Sequence, residues 1–300
     1  MLPHLANLNK MTLCLYSLSV YLSTVSLISI SQIKIRIDRH MPFFYTRSYQ
    51  KGNVYYTMKI LDELISSLKE DSIVREVHVC VFWTAVLSKN CGLASTLHEG
   101  HPHHKTIREP GKFRGKSALE LAGYAKSDRL LEASIGMAAI NSLIDIDEAR
   151  CITKNAFDIL ADKGSGRNIA IVGHFPWIPK LKKIARNLFV IEQRPRKGDL
   201  PAEASEEILP QADVIGLTGT AFTNHTIENL LNLSKGKFIV MIGPTSPLSP
   251  VLFDYGVDVI GGSKVVDPEK TIRSISEGAT FRQVEGVRHL NMFREKRVSA

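Results

Sequence analysis

Four segments in the second half of the chain combine glycine with side chains that can bind or react with a small molecule. Each follows a run of apolar, often β-branched residues, which predicts a buried strand. The segments are Gly173 to Pro176 (GHFP), Glu192, Thr218 to Asn224 (TGTAFTN) and Gly243 to Pro250 (GPTSPLSP). Open parallel sheets bind ligands at the carboxyl ends of their strands. Backbone N–H and hydroxyl groups at these ends predict a site for a polar or anionic small molecule.

Glu192 lies 19 residues after Gly173, at the end of the second predicted strand. In nucleotide-binding sheets, an acidic side chain at this place binds the ribose hydroxyl groups. A nucleoside-type ligand, including one similar to S-adenosylmethionine, is therefore one interpretation, and a plain surface carboxylate is the other. The G-x-G-x-x-G fingerprint is incomplete. His174 and Phe175 add bulk where a pyrophosphate needs bare backbone, so NAD binding of the usual kind is not expected.

The segment after the third predicted strand offers hydroxyl and amide groups. Thr218, Gly219, Thr220 and Asn224 are placed to orient a carboxylate or phosphate at the start of a helix predicted over 225–234. Asn224 also has the residue type of a helix N-cap. Ligand binding and capping are compatible interpretations.

The segment after the fourth predicted strand is rich in proline and begins with Gly243, Pro244, Thr245 and Ser246. It lacks the lysine that a P-loop places after its last glycine. We interpret it either as a rigid structural turn or as a turn whose Thr245 and Ser246 hydroxyl groups donate hydrogen bonds to a ligand.

No motif identifies a catalytic nucleophile or base. The chain has no G-x-S-x-G sequence, so Ser-His-Asp catalysis is not predicted. His174 and Glu192 are the candidate acid–base groups, since each lies at the end of a predicted strand. A loop histidine held by an ordinary hydrogen bond is the alternative for His174.

Four of the ten histidines lie within seven residues, namely His98, His101, His103 and His104. Imidazole binds zinc and related metals, and a loop can wrap around one ion. The segment has no H-E-x-x-H motif, so a solvated polar loop is the alternative to a metal site. The four cysteines include no C-x-x-C pair and are expected to be reduced thiols.

The elements that must position these side chains fall into two regions. Residues 58–164 begin with an amphipathic helix, continue with strands within 73–96 and end in helices, which predicts a smaller α+β domain. Residues 165–300 alternate short apolar runs with helical segments, which predicts an α/β fold with a Rossmann-like parallel sheet. The predicted strands cover 168–172, 188–191, 213–217, 237–242 and 257–260.

The net charge of +8 is concentrated at the two ends of the chain. Residues 1–57 carry six basic side chains and one acidic side chain, and residues 282–297 carry five basic and two acidic ones. The region between them is nearly balanced and has no basic stripe interleaved with aromatic residues. We therefore expect no nucleic-acid partner.

The first 57 residues differ in composition from the rest. Met11 to Ile33 contains no charged residue and is long enough to span a bilayer, although seven of residues 11–30 are Ser or Thr. We expect a spurious or disordered extension ahead of a native start at Met58, with a membrane anchor and a signal segment as alternatives. If an anchor exists, the basic residues after Ile33 keep the remainder in the cytoplasm. The expected location is therefore cytoplasmic, and membrane association is expected only with such an anchor.

Several separated motifs, in order, resemble a prokaryotic family of heavy-metal chelation proteins. The resemblance covers about 58–290 and is carried by CGLAST (91–96), EASIGMAAINSLI (132–144), VGHFPWIP (172–179), Glu192, LPQADVIGLTGTAFTNHTIENLL (209–231) and GPTSPLSPVLFDYGVDVIGGSKVVD (243–267). It implies a Rossmann-like C-terminal domain, an enolase-N-terminal-like N-terminal domain and a ligand site in the cleft between them. It also implies that Thr96 and Asn141 contribute to that site.

These observations lead to one main hypothesis. The protein is expected to bind a small polar or anionic ligand in the cleft: a metal, a metal-chelating metabolite or a nucleoside-type cofactor. One alternative is a transferase or lyase of metal-related metabolite synthesis that uses the same cleft. Another is a membrane-tethered scaffold, which depends on residues 11–33. The identity of the ligand and the presence of a homo-oligomer are left open.

Overall fold

A computed structural model of the protein describes residues 58–98 and 106–294. The N-terminal extension 1–57, for which a membrane anchor was one alternative, and the loop histidines His101, His103 and His104 lie outside the described residues. Among the described residues, no helix is both long enough and apolar enough to cross a membrane.

The N-terminal part is a three-stranded antiparallel sheet packed against helices. Its strands follow the order β1-β2-β3, so the two hairpins are adjacent in the chain. The strands predicted within 73–96 are therefore confirmed. The elements are α1 (Lys59–Ser66), β1 (Glu76–Val79), β2 (Trp83–Leu87), β3 (Cys91–Ser95), α2 (Ala118–Ala122) and α3 (Leu130–Leu143).

Small residues allow helix α3 to lie directly on this sheet. A Cβ atom added to Gly92 of β3 would lie 2.1 Å from the carbonyl oxygen of Ala138 in α3. A Cβ atom added to Gly136 of α3 would lie 1.9 Å from the amide nitrogen of Ala125. Glycine at these two positions therefore fixes how closely the strand, the helix and the turn before the helix approach one another.

The C-terminal part is an eight-stranded, mostly parallel sheet flanked by helices. The strand order is β4-β11-β10-β9-β8-β5-β6-β7, and β5 to β10 pair in parallel with their neighbours in that series. The elements are β4 (Cys151–Ile152), α4 (Ala156–Gly164), β5 (Asn168–Val172), α5 (Ile178–Leu181), β6 (Asn187–Glu192), β7 (Leu200–Pro201), α6 (Ser205–Ile208), β8 (Val214–Thr218), α7 (Thr220–Thr223), α8 (Ile227–Leu233), β9 (Phe238–Ile242), α9 (Val251–Asp254), β10 (Val259–Val265), α10 (Pro268–Ser276) and β11 (Val287–Phe293).

The α/β, Rossmann-like fold class is confirmed, but the sheet is mixed rather than wholly parallel. β11 runs antiparallel to β10 over seven residue pairs, and β4 runs antiparallel to β11. β11 has no alternating burial: Arg288 and His289 are both exposed, while Leu290, Asn291 and Met292 are all buried. The sequence of β11 has neither an alternating pattern nor a continuous apolar run, which is why no strand is predicted there.

The helix predicted over 225–234 is α8, which runs from Ile227 to Leu233. The segment before it, predicted as a loop, contains the short helix α7, and the chain turns between the two helices at His225, whose φ of 61° is left-handed. Asn224 does not cap α8, because Thr226 occupies the N-cap position. The Asn224 side-chain oxygen instead accepts hydrogen bonds from the Thr226 backbone N–H (3.2 Å) and hydroxyl group (2.8 Å).

The strand order creates a crevice between β5 and β8. The chain leaves β5 for β6 and β7 on one side, then returns past β5 to form β8 and β9 on the other. The connections therefore diverge between β5 and β8, and in open α/β sheets ligands bind in this crevice, outside the carboxyl ends of the strands.

Helix α4 packs on the large sheet. Its Ile159 and Leu160 belong to the same buried cluster as Ile169 of β5 and Val214 of β8. We therefore propose that the C-terminal domain begins ahead of β4, rather than at residue 165.

Candidate functional site

A cavity of about 570 Å³ lies at the carboxyl ends of β5, β6 and β8. Residues of the large sheet and its helices form most of the wall. The N-terminal part completes the cavity wall with residues 96–98, which follow β3, and with Leu130, the first residue of α3. The lining residues are Thr96, Leu97, His98, Leu130, Val172, Ile191, Glu192, Gln193, Arg194, Ala202, Glu203, Ser205, Glu206, Thr218, Thr220, Ala221, Asn224, Thr226, Asn229 and Leu230.

The structure brings some of the predicted ligand-binding residues together around this cavity and leaves others outside it. Those that line the cavity are Thr96, Glu192, Thr218, Thr220 and Asn224. Those that do not line it are Gly173, His174, Gly219, Gly243, Pro244, Thr245, Ser246 and Asn141. The ligand-binding role of each residue stays a prediction.

Glu192 ends β6 and is partly buried in the cavity wall. Its burial raises the pKa of the carboxyl group, and the negative charge of Asp199 raises it further. Arg196 and Arg194 act in the opposite direction but do not cancel the shift. A partly desolvated carboxylate that lacks a strong partner gains most from a ligand that donates hydrogen bonds to it.

His174 forms a pair with Asp199 beside Glu192. The imidazole Nδ1 lies 3.0 Å from Asp199 Oδ2, and the Asp199 side chain is 5% exposed. The same carboxylate oxygen accepts the Arg196 backbone N–H at 3.0 Å. A buried carboxylate fixes the orientation of an imidazole that donates its Nδ1–H. This geometry fits the hydrogen-bonded loop histidine, and the acid–base role of His174 stays a prediction.

Sequence reasoning missed Asp199. It lies in the loop of Arg194 to Leu200, a polar stretch in which no motif distinguishes it. Only the pairing of β7 beside β6 brings this loop back to the end of β5, where His174 lies.

The hydroxyl groups after β8 form a small network at the cavity wall. Thr218 Oγ1 lies 3.0 Å from Thr220 Oγ1, and Asn224 is held by its bonds to Thr226. The amide N–H₂ of Asn224 has no hydrogen bond among the described residues that uses it as a donor. It can therefore donate to a ligand while the side-chain oxygen fixes its orientation.

The proline-rich turn after β9 joins the two parts of the protein. Thr245 Oγ1 accepts the Ser95 backbone N–H at 2.8 Å and donates to Ser95 Oγ at 3.1 Å. Asn141 of α3 donates its amide to the carbonyl oxygens of Leu93 (2.8 Å) and Pro244 (3.2 Å). Thr245 is 1% exposed. These side chains hold β3 and α3 against the large sheet.

Gly219 makes a second close contact with this turn. A Cβ atom there would lie 2.5 Å from the backbone nitrogen of Ser246 and 2.6 Å from its Oγ. The glycine therefore allows the turns after β8 and β9 to pack together next to the cavity.

Replacing Thr245 with valine is expected to lower the free energy of unfolding by about 1–3 kcal/mol, because it leaves the partly buried Ser95 N–H without its acceptor. Chemical denaturation measures the change. Thr153→Val is the control, since Thr153 is exposed and in no described hydrogen bond. Equal losses in the two variants would contradict the joining role of Thr245.

Two family models match the chain, over residues 155–293 and residues 61–144, and both carry the description "Putative heavy-metal chelation". Together they cover about three quarters of the chain. The protein belongs to this heavy-metal chelation family. The resemblance derived from the sequence motifs is therefore confirmed.

Several proteins are similar to this chain over 70–78% of its residues. An uncharacterized protein of Methanocaldococcus jannaschii is 28% identical over 225 residues, which span 70% of this chain and 85% of the relative. A solved family structure from Desulfitobacterium hafniense DCB-2, of unknown function, has a TM-score of 0.70 and 28% identity. One from Pyrococcus horikoshii has a TM-score of 0.65 and 24% identity, and shows the fold. Each alignment covers 78% of this chain and 98% of the solved chain.

The family description raises the question of a metal site in this chain. Within 58–98 and 106–294, no group of three or more His, Cys, Asp or Glu side chains is placed to hold a metal ion. His98 lines the cavity, but the other three loop histidines lie outside the described residues. Burial raises the pKa of the Cys91 thiol to about 12, so the free thiol is protonated at neutral pH. The described donor set does not fit a chelating site made by the protein alone.

Proposed function

We propose that the protein binds a nucleoside-type small molecule in the cavity at the ends of β5, β6 and β8. The observation that carries this proposal is Glu192, a partly buried carboxylate with a raised pKa at the end of the second strand of a Rossmann-like sheet. A ribose diol supplies two adjacent O–H donors to such a carboxylate. A volume of about 570 Å³ lies in the usual range for small-molecule sites.

The chemistry of the lining supports an uncharged, hydroxyl-bearing ligand. Arg194 is the one lysine or arginine among the lining residues, against the three glutamates Glu192, Glu203 and Glu206, which disfavours an anionic ligand. Threonine, serine, asparagine and glutamine side chains form most of the remaining polar wall. The turn at Gly173 is followed by α5, which begins only at Ile178 and has four residues. This turn therefore lacks the long helix N-terminus on which dinucleotide-binding sheets hold a pyrophosphate.

The family's heavy-metal chelation is compatible with this proposal through a metal-chelating metabolite. Such a metabolite would itself supply the atoms that bind the metal. The cavity would need only hydroxyl, amide and carboxylate groups that form hydrogen bonds to the metabolite. Metal analysis of the purified protein, together with mass spectrometry of the organic compounds retained on it, distinguishes this route from a bare metal ion. A retained metal without any organic ligand would contradict it.

Ribonucleosides test the proposal directly. Adenosine, guanosine, cytidine and uridine are each titrated by calorimetry next to their 2′,3′-dideoxy counterparts. We expect at least one ribonucleoside to bind, and about tenfold more tightly than its dideoxy counterpart, because only the former offers the diol to Glu192. The proposal fails if none of them binds, or if the dideoxy compound binds equally well.

Glu192→Gln is expected to remove most of this preference for the diol, because a neutral amide accepts hydrogen bonds less strongly than a carboxylate. Glu207→Gln is the matched control, since Glu207 is exposed on neighbouring α6 and does not line the cavity. The same calorimetric titrations measure both variants. An unchanged preference for the diol in the Glu192 variant would show that Glu192 does not bind the ribose hydroxyl groups.

The pH dependence of binding should follow the raised pKa of Glu192. The affinity for the ribonucleoside is highest at pH values where the Glu192 carboxylate is ionised, and it falls as the pH drops through the pKa of this group. Because that pKa is raised, the fall occurs at a higher pH than the ordinary glutamate value of 4.5 would give. Glu192→Gln should flatten this part of the profile. Titrations at a series of pH values check both statements.

A further inference from the structure

A basic surface lies away from the cavity, on the side of α4 and α5. Residues 163–191 contain six basic side chains and no acidic one. All six are exposed, and they are Lys163, Arg167, Lys180, Lys182, Lys183 and Arg186. We call these six residues the basic face.

The basic face comes from neighbouring elements within one stretch of the chain, 163–186. Arg186 donates its backbone N–H to the carbonyl oxygen of Arg167 at 2.9 Å. The two arginines directly precede the paired residues Asn187 of β6 and Asn168 of β5, and paired strands lie about 4.8 Å apart. Lys180 lies in α5, Lys182 and Lys183 directly follow that helix, and Lys163 lies in the last turn of α4.

The charges of the basic face are not neutralised by the protein. No salt bridge among the described residues involves any of the six side chains. The neighbouring Asp162 is bound by Lys154. Smaller groups such as Lys112 and Arg114 also lack a salt bridge, but the basic face is the largest group of this kind between two acidic residues of the described chain, Asp162 and Glu192. A concentration of unpaired positive charge is an electrostatic footprint for a polyanion.

The basic face is also free of apolar anchors. The exposed large apolar side chains of the described residues all lie elsewhere, at Ile73, Val79, Val81, Phe82, Ile152 and Val266. Protein interfaces are built around buried aromatic or aliphatic residues, and stable membrane binding needs an apolar insertion beside the charges. A surface that offers charge alone fits a partner held mainly through its phosphate groups.

We propose that the basic face binds the phosphate backbone of a nucleic acid. The region between the two basic ends of the chain is nearly balanced in total, which argues against such a partner only when all its charges are counted together. The stretch 163–191 is a local exception with six basic and no acidic residues. Arg167 and Arg186 lie at the amino ends of β5 and β6, whereas the cavity lies at the carboxyl ends. The proposal is therefore independent of the nucleoside site.

Fluorescence anisotropy of the full chain tests the proposal with labelled single strands and duplexes of about 20 nucleotides, at about 50 and about 200 mM salt. Lys182→Gln/Lys183→Gln is expected to weaken binding about tenfold at the lower salt concentration and to reduce the slope of log affinity against log salt by about 1.4 for a single strand. Both residues are exposed, so folding should be unaffected, which a thermal melt checks.

Lys112→Gln/Arg114→Gln is the matched control. It removes the same number of exposed positive charges at a distant loop and should leave the affinity unchanged. Equal weakening by both double variants would overturn the proposal, because net charge alone would then explain the binding. Absence of binding at the lower salt concentration would also overturn it. So would binding to phosphatidylserine vesicles or polyglutamate without binding to either oligonucleotide.

Discussion

Replacing Gly136 with alanine is expected to lower the free energy of unfolding by about 3 kcal/mol. In an isolated helix the same change would stabilise the helix, since alanine has a higher helix propensity than glycine. Here the new methyl group would lie 1.9 Å from the Ala125 nitrogen and 2.5 Å from the carbonyl carbon of Tyr124. Both are backbone atoms that cannot rotate away, so α3 would have to move off the preceding turn. A fall of about 10 °C in melting temperature would report this change.

Gly123→Ala is the matched control for this prediction. Gly123 lies in that preceding turn with a φ of −59°, and a Cβ atom there would meet nothing within 4 Å. Alanine at this position should therefore raise the stability slightly, through the lower entropy of the unfolded chain. If both variants shift the stability in the same direction, the close backbone contact at Gly136 does not limit the packing.

Replacing Glu132 with alanine is expected to destabilise the protein by about 3 kcal/mol, because it leaves a set of charged and polar donors without their acceptor. The Glu132 side chain is 1% exposed. Its carboxylate accepts the backbone N–H of Arg108 (2.7 Å), the Arg108 Nε–H (3.0 Å) and the Ser127 hydroxyl group (2.6 Å), and it pairs with Arg129 (3.2 Å). Urea denaturation measures the change.

Glu120→Ala is the control, since Glu120 is an exposed carboxylate with a lysine partner, Lys116, four residues earlier. Surface pairs of this kind contribute little, so the stability should hardly change. A loss as large as that of the Glu132 variant would mean that the buried network adds nothing beyond an ordinary surface pair.

The Glu132 network should also be visible in the pH dependence of stability. Burial raises the pKa of the Glu132 carboxyl group, but the hydrogen bonds from Arg108 and Ser127 outweigh it, so the pKa lies below the ordinary value of 4.5. A carboxylate with a lowered pKa stabilises the folded protein above that ordinary value, and the contribution is lost as the pH falls through the lowered pKa. Glu132→Gln should lack this acid-sensitive contribution.

Both predictions concern the way the N-terminal part supports the cavity. Glu132 holds Ser127 and Arg108 at the start of α3, and Leu130 at the first position of that helix lines the cavity. Gly136 sets the depth at which the same helix packs. We therefore expect either substitution to weaken ribonucleoside binding as well, by allowing Leu130 to move, whereas the control substitutions should not.

The sequence alone determined the α/β fold class and the location of the polar turns. A short apolar run followed by a glycine-rich turn predicts a buried parallel strand. This signal lies in consecutive residues, so no contact with a distant residue is needed to recognise it. The predicted strand 168–172 is the observed β5, and the other predicted strands of the large sheet differ from the observed ones by a few residues at their ends. Glu192 could be singled out in the same way, since its position depends only on the end of a local strand.

Tertiary structure decided which of these turns face a common cavity. Thr245 and Asn141 have residue types suited to ligand binding, yet their hydrogen bonds join β3 and α3 to the large sheet. Asp199 pairs with His174 across 25 positions of sequence. The basic face, in contrast, lies within one stretch of the sequence, and the tertiary structure decided only that its six side chains are exposed. Hydrogen bonds and electrostatic fields depend on distance in space, and residues far apart in sequence become neighbours only when the strands pair.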